Sequence, residues 1–216
     1  MYLRDRVVIL KKQPFREQDR RLWMYGREHG ALSVVARGAS SRTSKQVGHL
    51  EPLTIADVMI AKGVAYDTLA VAQRVACSTQ QVAEAGILAA YVIGGAFADL
   101  VITLTRPGIA DERIFFLLCA VFDALSSMPH EPSPERARFL FAVATLKLLD
   151  LIGFAPDARS SLLAFIRHAP FADALRVTAP CTVLAAASAC IEEALQHTPL
   201  EKEPHGMKTI AALLGV

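Results

Sequence analysis

Residues Tyr25–Pro52, YGREHGALSVVARGASSRTSKQVGHLEP, decide how the first third of this 216-residue chain is read. Arg27-Glu28-His29-Gly30 is a polar turn whose glycine supplies the positive φ that a tight hairpin loop requires. Leu32 to Arg37 then alternates. Leu32, Val34 and Ala36 share one face and Ser33, Val35 and Arg37 the other, the period of a half-buried strand. Gly38 releases the chain into Ala39–Gly48, a run of small polar residues that carries Arg42 and Lys45 and no acid. Leu50-Glu51-Pro52 leads into a second apolar strand. A basic loop held between two core strands can present cations to a phosphate backbone, although a plain solvated connection has the same composition.

Outward from this stretch, four more strands are expected: Val7–Lys12, ended by Pro14 and the Arg16–Asp19 cluster, Arg21–Arg27, Leu53–Ala61, and Asp67–Val75 after the Lys62-Gly63 turn. Five short strands with glycine turns suit a small OB-fold barrel or an SH3-like barrel, and pattern alone leaves both open. From Ser78 the period becomes helical. Ser78 with Gln81 forms a capping-box pattern for a helix running to about Thr105 and stopped by Arg106-Pro107-Gly108. Asp111 caps a second helix that ends before Pro129, and Ser133-Pro134 opens a third that Gly153 closes. Shorter helices are expected over Asp157–His168, Pro180–His197 and Gly206–Leu214. The reading is therefore α+β: a β-barrel module over residues 1–78 and an all-α helical module over 79–216.

Charge divides along the same line. The first 80 residues hold 13 basic and 7 acidic side chains, net +6, which leaves −4 for the rest of a chain whose total is +2. A basic barrel beside an acidic helical module suggests a polyanion partner for the first and a protein partner for the second. The N-terminus MYLRDRVV lacks the apolar run of a signal peptide. Gly86–Leu104 holds one charge, Asp99, and is long enough to span a bilayer. Its Gly94-Gly95 pair and the absence of flanking basic clusters favour a helix buried on all sides at the centre of a bundle, with Asp99 buried and either paired or capping. Cys77, Cys119, Cys181 and Cys190 include no C-x-x-C pair and read as free thiols.

No catalytic constellation emerges. There is no phosphate loop, no H-E-x-x-H and no G-x-S-x-G. Glu192-Glu193 reads as a solvated helix face, His29 and His49 as surface residues, and Cys181 as structural. The chain is expected to be neither an enzyme nor a cofactor binder. The nucleic-acid-binding candidates are Arg37, Arg42 and Lys45, followed by Lys11, Arg16, Arg20 and Arg21 on the neighbouring hairpin. Trp23 and Tyr25 share a strand face, where they either stack on bases or fill the barrel or its seam.

The run R-E-H-G-x-L-x-x-V-A-R-G-A-x-S, a short basic loop and then L-E-P resembles the signature of the RecO family of bacterial DNA-repair and recombination-mediator proteins. Val7–Lys11 with Pro14 and Glu17-Gln18-Asp19, Tyr66–Leu69, Leu148–Pro156 and the tail from Ile191 to Leu214 extend the likeness. The resemblance implies an OB-fold followed by a helical domain. It implies binding of single- and double-stranded DNA and annealing of complementary strands. It also implies loading of a RecA-type recombinase onto strands coated by single-strand-binding protein (SSB), with RecR as partner, in the bacterial cytoplasm at the nucleoid. Many members resemble one another in a zinc site of C-x-x-C pairs. The corresponding Asp157–Pro180 here has no cysteine, so no metal is expected. For the acidic, apolar SSB tail, Arg136, Arg138 and Lys147 are the candidate cations, on residue type alone. The alternative is an interaction scaffold of the same fold that does not bind DNA.

Overall fold

Alternating side chains on five strands build the N-terminal third. The computed structural model describes residues 1–39, 50–77, 88–128, 134–154, 161–177 and 181–197. Strands β1 (Tyr2–Pro14), β2 (Arg20–Gly26), β3 (Gly30–Ala36), β4 (Thr54–Ala61) and β5 (Asp67–Cys77) form a closed barrel in the order β1-β2-β3-β5-β4. All neighbours are antiparallel except β3 and β5, which close the barrel in parallel through Val34↔Asp67 and Val35↔Thr68. The inward set is the one that alternation requires: Val7, Ile9, Leu22, Met24, Val34, Ala36, Val58 and Ile60 are buried together. Each large member contributes about 1.5–3 kcal/mol by leaving water.

β1 is twice the length expected from Val7–Lys12. Its first half pairs with β4 and its second with β2, with a bulge between Ile9 and Lys11 that turns the strand from one neighbour to the other. Asp5 stands on the inward alternation where an apolar residue would signal a strand, which is why residues 2–6 did not read as one.

Compactness divides the chain into two units, Met1–Glu84 with Thr105–Phe115, and Ala85–Leu104 with Phe116–Val216. The segment Thr105–Phe115 thus belongs with the barrel, which nothing in its sequence announces. Tyr25 explains the attachment. It lies on the outer face of β2, not among the barrel's inner residues, yet it is fully buried. Its Oη donates to the Asp111 carbonyl (3.2 Å) and accepts from the Asp111 N–H (3.1 Å). Burial raises the Tyr25 phenol above its ordinary range.

The helices are α1 (Leu88–Leu104), α2 (Glu112–Ser126), α3 (Pro134–Leu151), α4 (Ser161–His168), α5 (Phe171–Arg176) and α6 (Cys181–His197). Asp111 caps α2 as expected, its Oδ1 accepting the Arg113 N–H at 2.9 Å. α3 is the centre of the helical unit, buried at every residue from Phe141 to Leu149 and packed against α1, α4, α5 and α6. Gly153, at φ 79°, ends it. α5 has no counterpart among the expected helices: the Pro170 carbonyl accepts the Asp173 and Ala174 N–H groups and starts a helix too short to show a period.

Two expectations for α1 fail. It is not buried all round, since Val92 and Gly95 are exposed, and Asp99 is half-buried on the same stripe instead of enclosed. Among the described residues no helix is long and apolar enough to cross a membrane. The Ser78–Gln81 box, the Ser133 cap and the Gly206–Leu214 helix lie outside the described residues.

Candidate nucleic-acid interface

Because Leu22 and Met24 point into the barrel, Arg21, Trp23 and Tyr25 form a row on the outside of β2. The register sets this row against Val35, Ser33 and Ala31 of β3 on one side and Gln13, Lys11 and Val8 of β1 on the other. Tyr25 is sealed, Trp23 is half-buried between Lys11 and Ser33, and Arg21 is half-buried at the far end. Arg37, two residues beyond Val35, continues that end and is exposed.

Two turns rise beside that end. In the β1–β2 turn the Phe15 N–H donates to the Asp19 carbonyl (3.2 Å). The Asp19 carboxylate accepts the Gly38 N–H (2.9 Å), tying this turn to the residue that follows Arg37. The Arg20 guanidinium donates back to the Asp19 carbonyl at 3.3 Å. In the β4–β5 turn Asp67 accepts from Lys62 Nζ (2.7 Å) and from the Gly63 N–H (3.2 Å). The turns meet through their rings: Phe15 and Tyr66 lie edge to face, centroids 5.7 Å apart at 71°. The Arg16 guanidinium sits 5.4 Å from the Phe15 centroid and 5.6 Å from that of Tyr66, and Arg21 lies 4.5 Å over Phe15. A shallow recess beside Tyr66 is lined by Arg37, Lys62 and Thr68.

Of the sequence candidates, the fold brings Arg16, Arg21 and Arg37 to one end of the barrel, with Arg20 adjoining and Lys11 further along the face beside Trp23. Arg42 and Lys45 lie outside the described residues. Phe15, Tyr66 and Lys62 were missed. Nothing local in a phenylalanine after Pro14 or a tyrosine before Asp67 announces a binding role, and the parallel β3–β5 closure that brings Tyr66 towards Arg37 leaves no local trace.

The three cations suggested for a protein partner do not form one surface. Lys147 is buried, and its ammonium donates to the carbonyls of Arg167 (3.0 Å) and Ala169 at the end of α4. Burial pushes its pKa below the ordinary lysine range, and the Asp150 carboxylate partly restores it. Arg136, exposed, donates to the Leu175 carbonyl (2.6 Å) in the last turn of α5. Both therefore serve helix C-termini, where unpaired carbonyls and the helix dipole favour cations. Arg138 is exposed.

Two family models match: Recombination protein O N terminal over residues 1–77 and Recombination protein O C terminal over residues 87–195. The chain belongs to the RecO family. Relatives carrying the name DNA repair protein RecO include that of Pelotomaculum thermopropionicum, 30% identical over 152 residues (69% of this chain, 55% of the relative). Those of Bifidobacterium adolescentis (29%, covering 72% of this chain and 61% of the relative) and Chlorobium phaeobacteroides (25%, 79% and 63%) are also similar. The chain spans between 55% and 63% of the length of these relatives.

As a RecO N-terminal module the barrel is an OB-fold, and OB-folds bind oligonucleotides on the strand 2–3 face and the loops joining strands 1–2 and 4–5. Those are the surfaces that carry Arg21, Arg37, Phe15, Arg16, Lys62 and Tyr66 here. A thiolate zinc site does not fit the residues at hand: Asp157–Pro180 has no cysteine. Among the described residues, no three His, Cys, Asp or Glu side chains come together to hold a metal.

Proposed function

We propose that this chain acts in DNA repair and homologous recombination as a non-enzymatic mediator that binds single- and double-stranded DNA and anneals complementary strands. In this reading it helps load a RecA-type recombinase onto SSB-coated DNA, together with RecR, in the bacterial cytoplasm at the nucleoid. The observation that supports it is the convergence of Arg16, Arg21, Arg37 and Lys62 on the strand 2–3 face and the two adjoining turns of an OB-fold whose sequence carries +6. Cations spread over one face neutralise phosphates without reading base edges, so two strands can approach with less mutual repulsion. Arg42 and Lys45, which follow Arg37 and Gly38 in the sequence, are taken as further phosphate contacts on their charge and position in the chain. Residues 1–78 carry the DNA and residues 79–216 the protein partners. For the acidic SSB tail, Arg138 is the best placed of the three helix cations, because Lys147 is enclosed and Arg136 already holds a carbonyl.

The test is strand annealing and salt-dependent binding, measured with and without SSB. Annealing that accelerates with protein, together with affinity that falls linearly in log salt, supports the reading. Absence of salt-dependent binding to either form of DNA returns the chain to the alternative of a scaffold that keeps the fold without DNA contact.

A further inference from the structure

Resting on that reading, we propose that Phe15 and Tyr66 form a stacking step for one unpaired base, and that the Arg16 guanidinium occupies the place of that base in the free protein. The argument begins with what surrounds the rings. Phe15 and Tyr66 are half-buried, come from two different turns and stand edge to face at 5.7 Å. Each turn is braced by a carboxylate, Asp19 in one and Asp67 in the other, so the rings are held before any ligand arrives. A platform already in place keeps the ordering cost of binding low.

Arg16 lies 5.4 and 5.6 Å from the two centroids, while Arg21 covers Phe15 from 4.5 Å. A guanidinium is flat, delocalised and weakly hydrated, so it covers an aromatic face as a nucleobase does. Arg16 is exposed on a turn and is free to swing away, whereas Arg21 is half-buried and fixed to β2. A base that takes the place of Arg16 against the rings sends the guanidinium towards the strand's own phosphates, and no positive charge is lost. The recess lined by Arg37 and Lys62 beside Tyr66 lies where the phosphates of the same strand would run. A duplex keeps its bases paired and stacked on each other, so only a single strand can use the step. The rings thereby give this face a preference for unpaired DNA that cations alone cannot supply.

The experiment compares a thymidine oligomer with an abasic oligomer of equal length and phosphate number, by fluorescence anisotropy at several salt concentrations. Wild type should bind the thymidine oligomer about 5- to 150-fold more tightly, the range of one base–aromatic stack. Tyr66→Leu should lose most of that ratio with its salt slope unchanged, and Tyr66→Phe should keep it. Phe15→Leu repeats the test if Tyr66→Leu unfolds, judged by circular dichroism. Arg16→Ala should lower the salt slope by about 0.7 and keep or raise the base preference. Equal affinity of wild type for both oligomers, with salt dependence intact, overturns the stacking step and leaves the DNA-binding reading standing. Loss of the base preference in Arg16→Ala overturns the placeholder role. No salt-dependent binding of either oligomer overturns the DNA-binding reading itself.

Discussion

Gly26 and the Asp5 carboxylate occupy one space: a Cβ on Gly26 would lie 2.9 Å from the Asp5 carboxyl carbon and closer still to its Oδ2. The carboxylate is buried there for a reason. It accepts the backbone N–H groups of Glu28 (3.1 Å) and His29 (3.0 Å) and lies 3.0 Å from His29 Nδ1. Asp5 thus supplies the acceptor that the turn of the β2–β3 hairpin lacks, and the hairpin keeps a glycine at 26 to admit it. Gly30 closes the same turn at φ 66°, where a Cβ would lie 2.8 Å from the Ile109 carbonyl carbon.

Gly26→Ala should therefore expel Asp5 and destabilise the barrel by about 2–4 kcal/mol, since a charged acceptor loses its donors. Asp5→Ala should have a similar effect. The double variant should be clearly more stable than the sum predicts, because with the carboxylate gone the methyl group has room. Urea denaturation of the four proteins closes the cycle, and additive losses would mean that the two residues do not compete for space.

Arg37→Ala should lower the slope of log K against log salt for single strands by about 0.7, and Arg42→Ala with Lys45→Ala by about 1.4 more. Affinity should fall alike for all sequences, because phosphate contacts carry no base information. Arg37 is exposed, so its removal should leave stability within about 0.5 kcal/mol. A slope that answers to Arg37 but not to Arg42 and Lys45 would end the DNA surface at the recess.

Lys147→Met should destabilise the helical unit by about 1–3 kcal/mol, because the Arg167 and Ala169 carbonyls lose their donor. The lysine also carries a pH signature. Its pKa is lowered in the fold, so between that value and the unfolded one near 10.5 the unfolded chain binds more protons. Its contribution to stability then rises with pH across this alkaline window. The stability difference between wild type and Lys147→Met, followed from pH 8 to pH 11, should widen; a constant difference would place the ammonium in water.

Tyr25→Phe should cost about 1–2 kcal/mol, because one Oη serves both the carbonyl and the N–H of Asp111. The Asp111 carboxylate answers separately to acid. Hydrogen bonds from Arg113, 3.0 Å at Nε and 2.7 Å at Nη2, hold its pKa below the ordinary value of 3.8. A depressed folded pKa contributes stability above about pH 4 that is lost as pH falls through the folded value. Asp111→Asn should therefore differ from wild type at pH 7, and the difference should shrink as the pH falls below 3.8 in urea melts.

The sequence by itself determined the existence of five strands, the alternation of Leu32, Val34 and Ala36 on one face of the third, the Gly30 turn, the capping of α2 by Asp111 and the change to helices after the barrel. All of these are local: the period of alternation, the steric freedom of glycine and the capping oxygen act within a few residues. It also placed Arg16, Arg21 and Arg37 among the cations to watch. Tertiary structure alone decided which residues share a surface. The parallel pairing of β3 with β5 brings the β4–β5 turn beside the end of β3, and only then do Tyr66 and Lys62 join Arg37. Whether Tyr25 meets bases or fills the barrel or its seam stays open in the sequence until the segment Thr105–Phe115 seals it. Lys147 reads as a surface cation until the end of α4 claims it. Burial and partnership are properties of segments distant in sequence, and the identity of a side chain does not carry them.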